Sequence, residues 1–179
     1  MKGNYKLILM IMFFLIFTGS ASAQISSVYS NLTGSGCRTI KTDPETGGSE
    51  TRCRGYGKWS LIVLDDDDRM SVNAVSPDGI RHELDFWTIV TTAFSSVGGK
   101  AEWRVQKNGK TVKPVALIIR VNATSEADGA PQRQSYLTVS KITDDGVCVV
   151  EKITSQRNAN QLARAAADNA AAKPCLRPE

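Results

Sequence analysis

The sequence predicts an α+β domain, an antiparallel sheet of about five to seven strands with a C-terminal helix packed on one face. Three observations carry that expectation. Runs of apolar–polar alternation recur through the middle of the chain, turn-forming residues separate them, and one helical stripe of apolar residues follows the last run. Four cysteines add covalent staples.

Residues 1–23 read as a secretory signal peptide. Lys2 and Lys6 make a basic start, Leu7 to Phe17 is unbroken apolar sequence, and Ala21-Ser22-Ala23 offers small residues for cleavage after Ala23. The apolar run is shorter than the roughly 20 residues that span a bilayer, so an uncleaved anchor is the lesser reading. Residues 24–179 then form one domain. The formal charge of +4 includes the two signal lysines, so the remaining chain is close to neutral. Nothing in that balance argues for nucleic acid or a membrane surface, and the expected home is periplasmic or secreted.

Cys37, Cys53, Cys148 and Cys175 are an even set in an exported chain, which points to disulfides. Three pairings are open. Nearest-neighbour pairing, Cys37–Cys53 with Cys148–Cys175, is favoured because each pair brackets one local unit. The chain-entropy estimate is about 3 kcal/mol for the first loop and somewhat more for the second. A zinc site is the weaker reading, since the cysteines lack close spacing and His82 is the only histidine.

In order along the chain, Gln24 to Gly36 is small and polar and reads as a loose lead-in. Cys37 to Cys53 reads as two strand ends around a loop marked by Asp43-Pro44 and Gly47-Gly48. Lys58 to Leu64 and Met70 to Val75 alternate and make a hairpin, with Asp65, Asp66, Asp67 and Asp68 at its solvated tip. Leu84, Trp87, Val90 and Phe94 share a helical face. The β-branched run Thr88 to Thr92 resists a helix, so a short helix or irregular segment is expected there. Ser95 to Gly99 reads as a loop.

Lys100 to Gln106 alternates strictly, with Ala101, Trp103 and Val105 on one face and Glu102 and Arg104 on the other. Asn108-Gly109 supplies a hairpin turn, and Val115 to Val121 returns apolar on nearly both faces, so it should be the central strand. Asn122 to Gln134, which holds Asp128-Gly129-Ala130-Pro131, reads as an exposed loop. Ser135 to Ile142 and Gly146 to Ile153 form a further hairpin. Asn158 to Ala172 is the clearest helix, with Asn158 and Gln161 placed for a capping box and a stripe of Ala159, Leu162, Ala163, Ala166 and Ala170.

Several of these segments together resemble an uncharacterised family of small exported bacterial proteins with four cysteines. They are Cys53-x-Gly55-x-Gly57, Glu102-Trp103-Arg104, Lys113 to Arg120, Val147 to Val150, and Asn158 to Arg164 leading to Cys175. The resemblance covers most of residues 24–179. It implies an envelope location and no activity.

The search for chemistry is largely negative. His82 has no nucleophile motif to serve, and a G-x-S-x-G elbow is absent. The four aspartates are contiguous and lack the spacing of a calcium loop, so no metal is assigned. No catalytic residue and no cofactor are assigned. The expected function is a non-catalytic envelope protein, a protein-binding or inhibitor-like module that presents Asp65 to Asp68, Arg69 and Arg133 on exposed loops to an envelope protein. The alternative is a small carboxylate-based hydrolase centred on Glu102, which requires a second acid beside it in a cleft.

Overall fold

The computed structural model describes residues 24–127 and 130–178, so the signal-peptide reading of residues 1–23 lies outside the described residues. The strands are β1 (Gln24–Asn31), β2 (Cys37–Thr42), β3 (Ser49–Arg54), β4 (Ser60–Asp66), β5 (Arg69–Val75) and β6 (Arg81–Glu83). They continue as β7 (Phe94–Asn108), β8 (Thr111–Ala127), β9 (Ala130–Thr143) and β10 (Gly146–Thr154). The helices are α1 (Phe86–Ile89) and α2 (Ala159–Asp168).

All ten strands belong to one sheet, in the order β10-β9-β8-β7-β5-β4-β3-β2, with β1 on β7 and β6 on β5. The α+β expectation is therefore corrected to a largely β class. The strands exceed the five to seven expected, and among the described residues helix is confined to four residues of α1, ten of α2 and short 3-10 turns. The sheet is also mixed, because β5 meets β7 in a parallel bridge, Arg69 opposite Ser95. Local pattern undercounted the sheet because exposed or Gly-containing strands lack the alternation that marks a half-buried one.

Three segments change from coil to strand for that reason. The lead-in becomes β1, zipped antiparallel to β7 from Gln24 opposite Lys107 to Asn31 opposite Lys100. Ser95 to Gly99 becomes the start of β7, with a bulge between Val97 and Ala101. Asn122 to Gln134 becomes the end of a long β8–β9 ribbon, paired out to Ala127 opposite Ala130. Asp128 and Gly129 lie outside the described residues.

The hairpin from β7 to β8 behaves as expected, though its turn falls at Gly109–Lys110, with Gly109 carrying the positive φ of 60°. The β8 strand runs between β7 and β9, and both its faces are buried. Leu117, Ile119 and Val121 face an inner core shared with β3, β4, β5 and the segment around Phe86. Ala116 and Ile118 face a second core with Ala159, Ala163, Ala166, Ala167 and Ala170 of the C-terminal helical unit. The sheet thus folds over one core and carries α2 on the outer face of β8–β10. The alanine stripe lets α2 lie close, while Leu162 turns out to be exposed. The capping box does not form: Asn158 makes no side-chain cap, and the helix ends instead on Asn169, whose Nδ2 donates to the carbonyl of Ala165 at 2.9 Å.

Both disulfides form in the nearest-neighbour pairing. Cys37 and Cys53 stand opposite each other on β2 and β3. Cys148–Cys175 ties the tail beyond α2 to β10, and the Leu176 N–H donates to the Val149 carbonyl beside it at 2.8 Å.

Trp103 is the largest fully buried side chain. Its indole Nε1 donates to Ser30 Oγ at 2.9 Å, and its ring packs 6.2 Å from that of Trp59. Gly55 lets it fit. A Cβ there would stand 2.7 Å from Trp103 Cζ2 and 2.8 Å from the Trp59 carbonyl oxygen. Backbone and a buried indole cannot both retreat, so Gly55→Ala should cost about 2 kcal/mol. The denaturation midpoint should fall with an unchanged m-value.

Candidate functional site

The charged face of β7 is not solvated. β1 and α2 close over it, and Glu102 and Arg104 end inside an ion-pair cluster. Arg104 Nε and Nη2 grip Asp168 of α2 bidentately at 2.7 and 2.9 Å, and Nη1 donates to Ser27 Oγ. Ser27 Oγ donates in turn to Glu102, whose carboxylate also takes Arg164 Nε at 2.6 Å and Nη2 at 3.3 Å. The same Arg164 Nη2 donates to the Tyr29 hydroxyl at 3.0 Å. Only 9% of the Arg104 side chain is exposed.

In this cluster the groups that the hydrolase reading would use are held in ion pairs. A general acid needs a carboxyl held protonated near neutral pH. Burial pushes Glu102 in that direction, but the hydrogen bonds from Arg164 and Ser27 and the Arg164 charge outweigh it, and its pKa is lowered. Asp168, the nearest second acid on the cluster, is committed to Arg104. The alternation of β7 leaves Glu102 and Arg104 on its polar face, and there they form a largely covered, neutralised seam between strand and helix.

The other sequence candidates lie on the β4–β5 hairpin and on β9. Asp67 and Asp68 form the two-residue turn between β4 and β5, at positive φ of 50° and 55°, a conformation aspartate tolerates better than most residues. Arg69 is held at the base of the tip: Nη1 pairs with Asp67, Nε donates to the Thr92 carbonyl at 3.1 Å, and its guanidinium lies 5.1 Å over the exposed Phe94 ring. Arg133 stands exposed on the ribbon opposite Thr124, on paired strand rather than loop. The tip and the root of the ribbon do meet. Asp65 and Asp68 line one side of a hollow of about 270 Å³ whose other side includes Asn122 and Thr124.

Sequence reading missed a second hollow, of about 250 Å³, on the other side of Asp65. Asp65 and Asp66 border it, together with Glu50 of β3, Glu83 of β6 and Asp43 of the β2–β3 loop. Arg81 and Lys41 are its cations, and both are directed at Glu50, at 2.7 and 3.9 Å. Asn73 and Trp87 complete the lining. The only available signal was the acidic run itself, because the other members come from four separate segments. Among the described residues no three His, Cys, Asp or Glu side chains converge as a metal site. His82, next to Glu83 on β6, borders a different hollow, half-buried beside Gly146 and 6.4 Å from the Trp59 ring.

Comparison with protein-family models, with curated proteins and with solved structures finds no match.

Two measurements test the seam. Asp168→Ala leaves the Arg104 guanidinium buried without its bidentate partner and should destabilise the protein by about 3 kcal/mol. Adding Arg104→Met should recover much of that loss, and a double-mutant cycle reads the coupling. Glu102→Gln tests the second pair through pH. Because the Glu102 pKa is lowered from the usual 4.5, its contribution is fully present above that value and is lost as pH falls through the folded-state pKa. The stability gap between the native protein and Glu102→Gln should be constant above about pH 5 and shrink steadily below it in urea titrations.

Proposed function

We propose that this protein is a non-catalytic binding module that works outside the cytoplasm, with an envelope protein as its partner and the region around the β4–β5 tip as its contact surface. One contrast carries the reading. The ionisable groups of the β7–α2 seam are spent on one another, whereas Asp65, Asp66 and Glu83 border an open hollow without an ion pair among the described residues. Paired charges hold a fold together, and unpaired ones at a concave surface are available to a partner.

Two disulfides fit an oxidising, exported environment. The basic and apolar start of the chain extends that to secretion by a cleaved signal, with the periplasm or the exterior as destination. The fold also supports a presenting role. Both disulfides and the buried seam stiffen the body, and a stiff body presents a surface with little ordering entropy to lose on binding.

The test is to immobilise the oxidised protein, capture partners from envelope extract with a short-range crosslinker, then purify the captured protein and titrate it calorimetrically. Saturable one-to-one binding that weakens with Asp66→Lys supports the module. Turnover of an envelope polymer by the purified protein, abolished by Glu102→Gln under conditions where the variant stays folded, would overturn it in favour of the hydrolase.

A further inference from the structure

We propose that the hollow beside the β2–β3 hairpin binds the phosphate group of a phosphate monoester through Arg38, Arg52 and Arg54. It lies apart from the acidic hollows and does not rest on the binding-module reading.

Charge is the first argument. The hollow measures about 470 Å³ and draws its walls from β2, β3 and the turn that leads into β4. Arg38, Arg52 and Arg54 line it, and among the described residues no aspartate or glutamate does. None of the three enters an ion pair among the described residues; Arg52 Nη1 meets only the neutral Ser60 Oγ, at 3.3 Å. Nearby cations are spent differently, since Lys41 and Arg81 both turn to Glu50. A concave surface lined by one sign of charge raises the local concentration of the opposite ion.

Register is the second argument and does not depend on the shape of the hollow. Arg52 and Arg54 stand two apart on β3, so they share a face, and Arg38 stands directly opposite Arg52 on β2. Side chains so placed are about 5 Å apart at Cβ, and like charges there destabilise a sheet. The other end of the same hairpin avoids this by setting Lys41 opposite Glu50. Two opposed guanidiniums are unfavourable for the chain alone and become favourable once an anion accepts from both.

The walls are already fixed. Cys37 and Cys53, the neighbouring cross-strand pair, are tied by their disulfide. Across the hollow, the Gly55 N–H donates to the Trp59 carbonyl and the Trp59 N–H to the Tyr56 carbonyl, both at 3.0 Å, and the Trp59 ring leans on Trp103. Little of this needs ordering when a ligand arrives.

The number of forks selects the anion. A carboxylate offers two oxygens and one charge, which a single guanidinium satisfies. A phosphate monoester offers three oxygens and up to two charges, which suits several guanidiniums at once. The hollow also falls within the roughly 300–1,000 Å³ of small-molecule sites, so it has room for the alcohol that carries the phosphate.

The experiment titrates the oxidised, nitrogen-15-labelled protein with inorganic phosphate, glycerol 3-phosphate and acetate at neutral pH and constant ionic strength. The two phosphates should shift the Nε–H signals of the three arginines and the Trp59 indole signal saturably, and acetate should not. Arg38→Gln and Arg54→Gln are exposed changes that leave the core intact, and each should weaken binding about five-fold. Arg52→Lys keeps the charge but loses the fork and should weaken it as well. Lys110→Gln, in the β7–β8 turn, should change nothing. Sedimentation with phosphatidylcholine vesicles, with and without phosphatidic acid, separates the two sources of the group. Saturable glycerol 3-phosphate binding assigns a soluble ester, and pelleting only with phosphatidic acid, lost in Arg54→Gln, assigns a lipid headgroup; either supports the site. Equal shifts with acetate, unchanged affinity in both Gln variants, an equal loss in Lys110→Gln, or no binding in either assay would overturn the proposal.

Discussion

Arg104 lies almost wholly out of water, between β1, β7 and α2, and a guanidinium in that position must be matched by acids or the fold does not hold. Its match comes from a residue far along the chain, Asp168 of α2, and from Ser27 at the start of it. The seam therefore closes only when the first strand, the middle strand and the last helix are all in place. Glu102 and Arg164 repeat the arrangement one step along. Together these contacts dock a helix whose alanine face contributes little apolar area per residue. Buried ion pairs add little net stability over apolar packing, but they discriminate strongly against a misplaced partner. Here they join α2 to β7 at two points, Asp168 to Arg104 and Arg164 to Glu102.

The opposite face of the same strand does the apolar work. Ala101, Trp103 and Val105 point into the inner core, and Trp103 meets Gly55, Trp59 and Ser30 there. β7 is thus a strand with two interiors, one apolar and one ionic. The alternation that marks a half-buried strand is present, but water is replaced on the polar side by helix and β1. The two disulfides secure the parts that this strand does not reach. One closes the β2–β3 hairpin and the other returns the tail to β10.

Charge is used differently at the seam and at the β4–β5 tip. The seam uses its charges internally, and the β4–β5 tip does so only in part. Asp67 and Asp68 build the turn and Asp67 pairs with Arg69, so only part of the acidic run is available to a ligand. Asp65 and Asp66 serve two hollows that no contiguous stretch of sequence defines. The run of four aspartates points to the β4–β5 tip and does not show which of the four line a hollow.

What the sequence determines by itself is everything that short-range pattern and composition decide. Lys100 to Gln106 had to be a strand because its alternation has period two, and Val115 to Val121 had to be central because both its faces are apolar. The cysteine pairing followed from proximity along the chain, and the acidic hairpin from four adjacent like charges. The tertiary structure alone decided that the polar lead-in is β1, that Asn122 to Gln134 is a ribbon, and that the class is largely β. Those strands owe their pairing to neighbours in space and carry little pattern of their own. It also decided that Arg104 is buried and Glu102 partly buried, since nothing in an alternating strand says whether its polar face meets water or a helix arriving from 62 to 64 residues away.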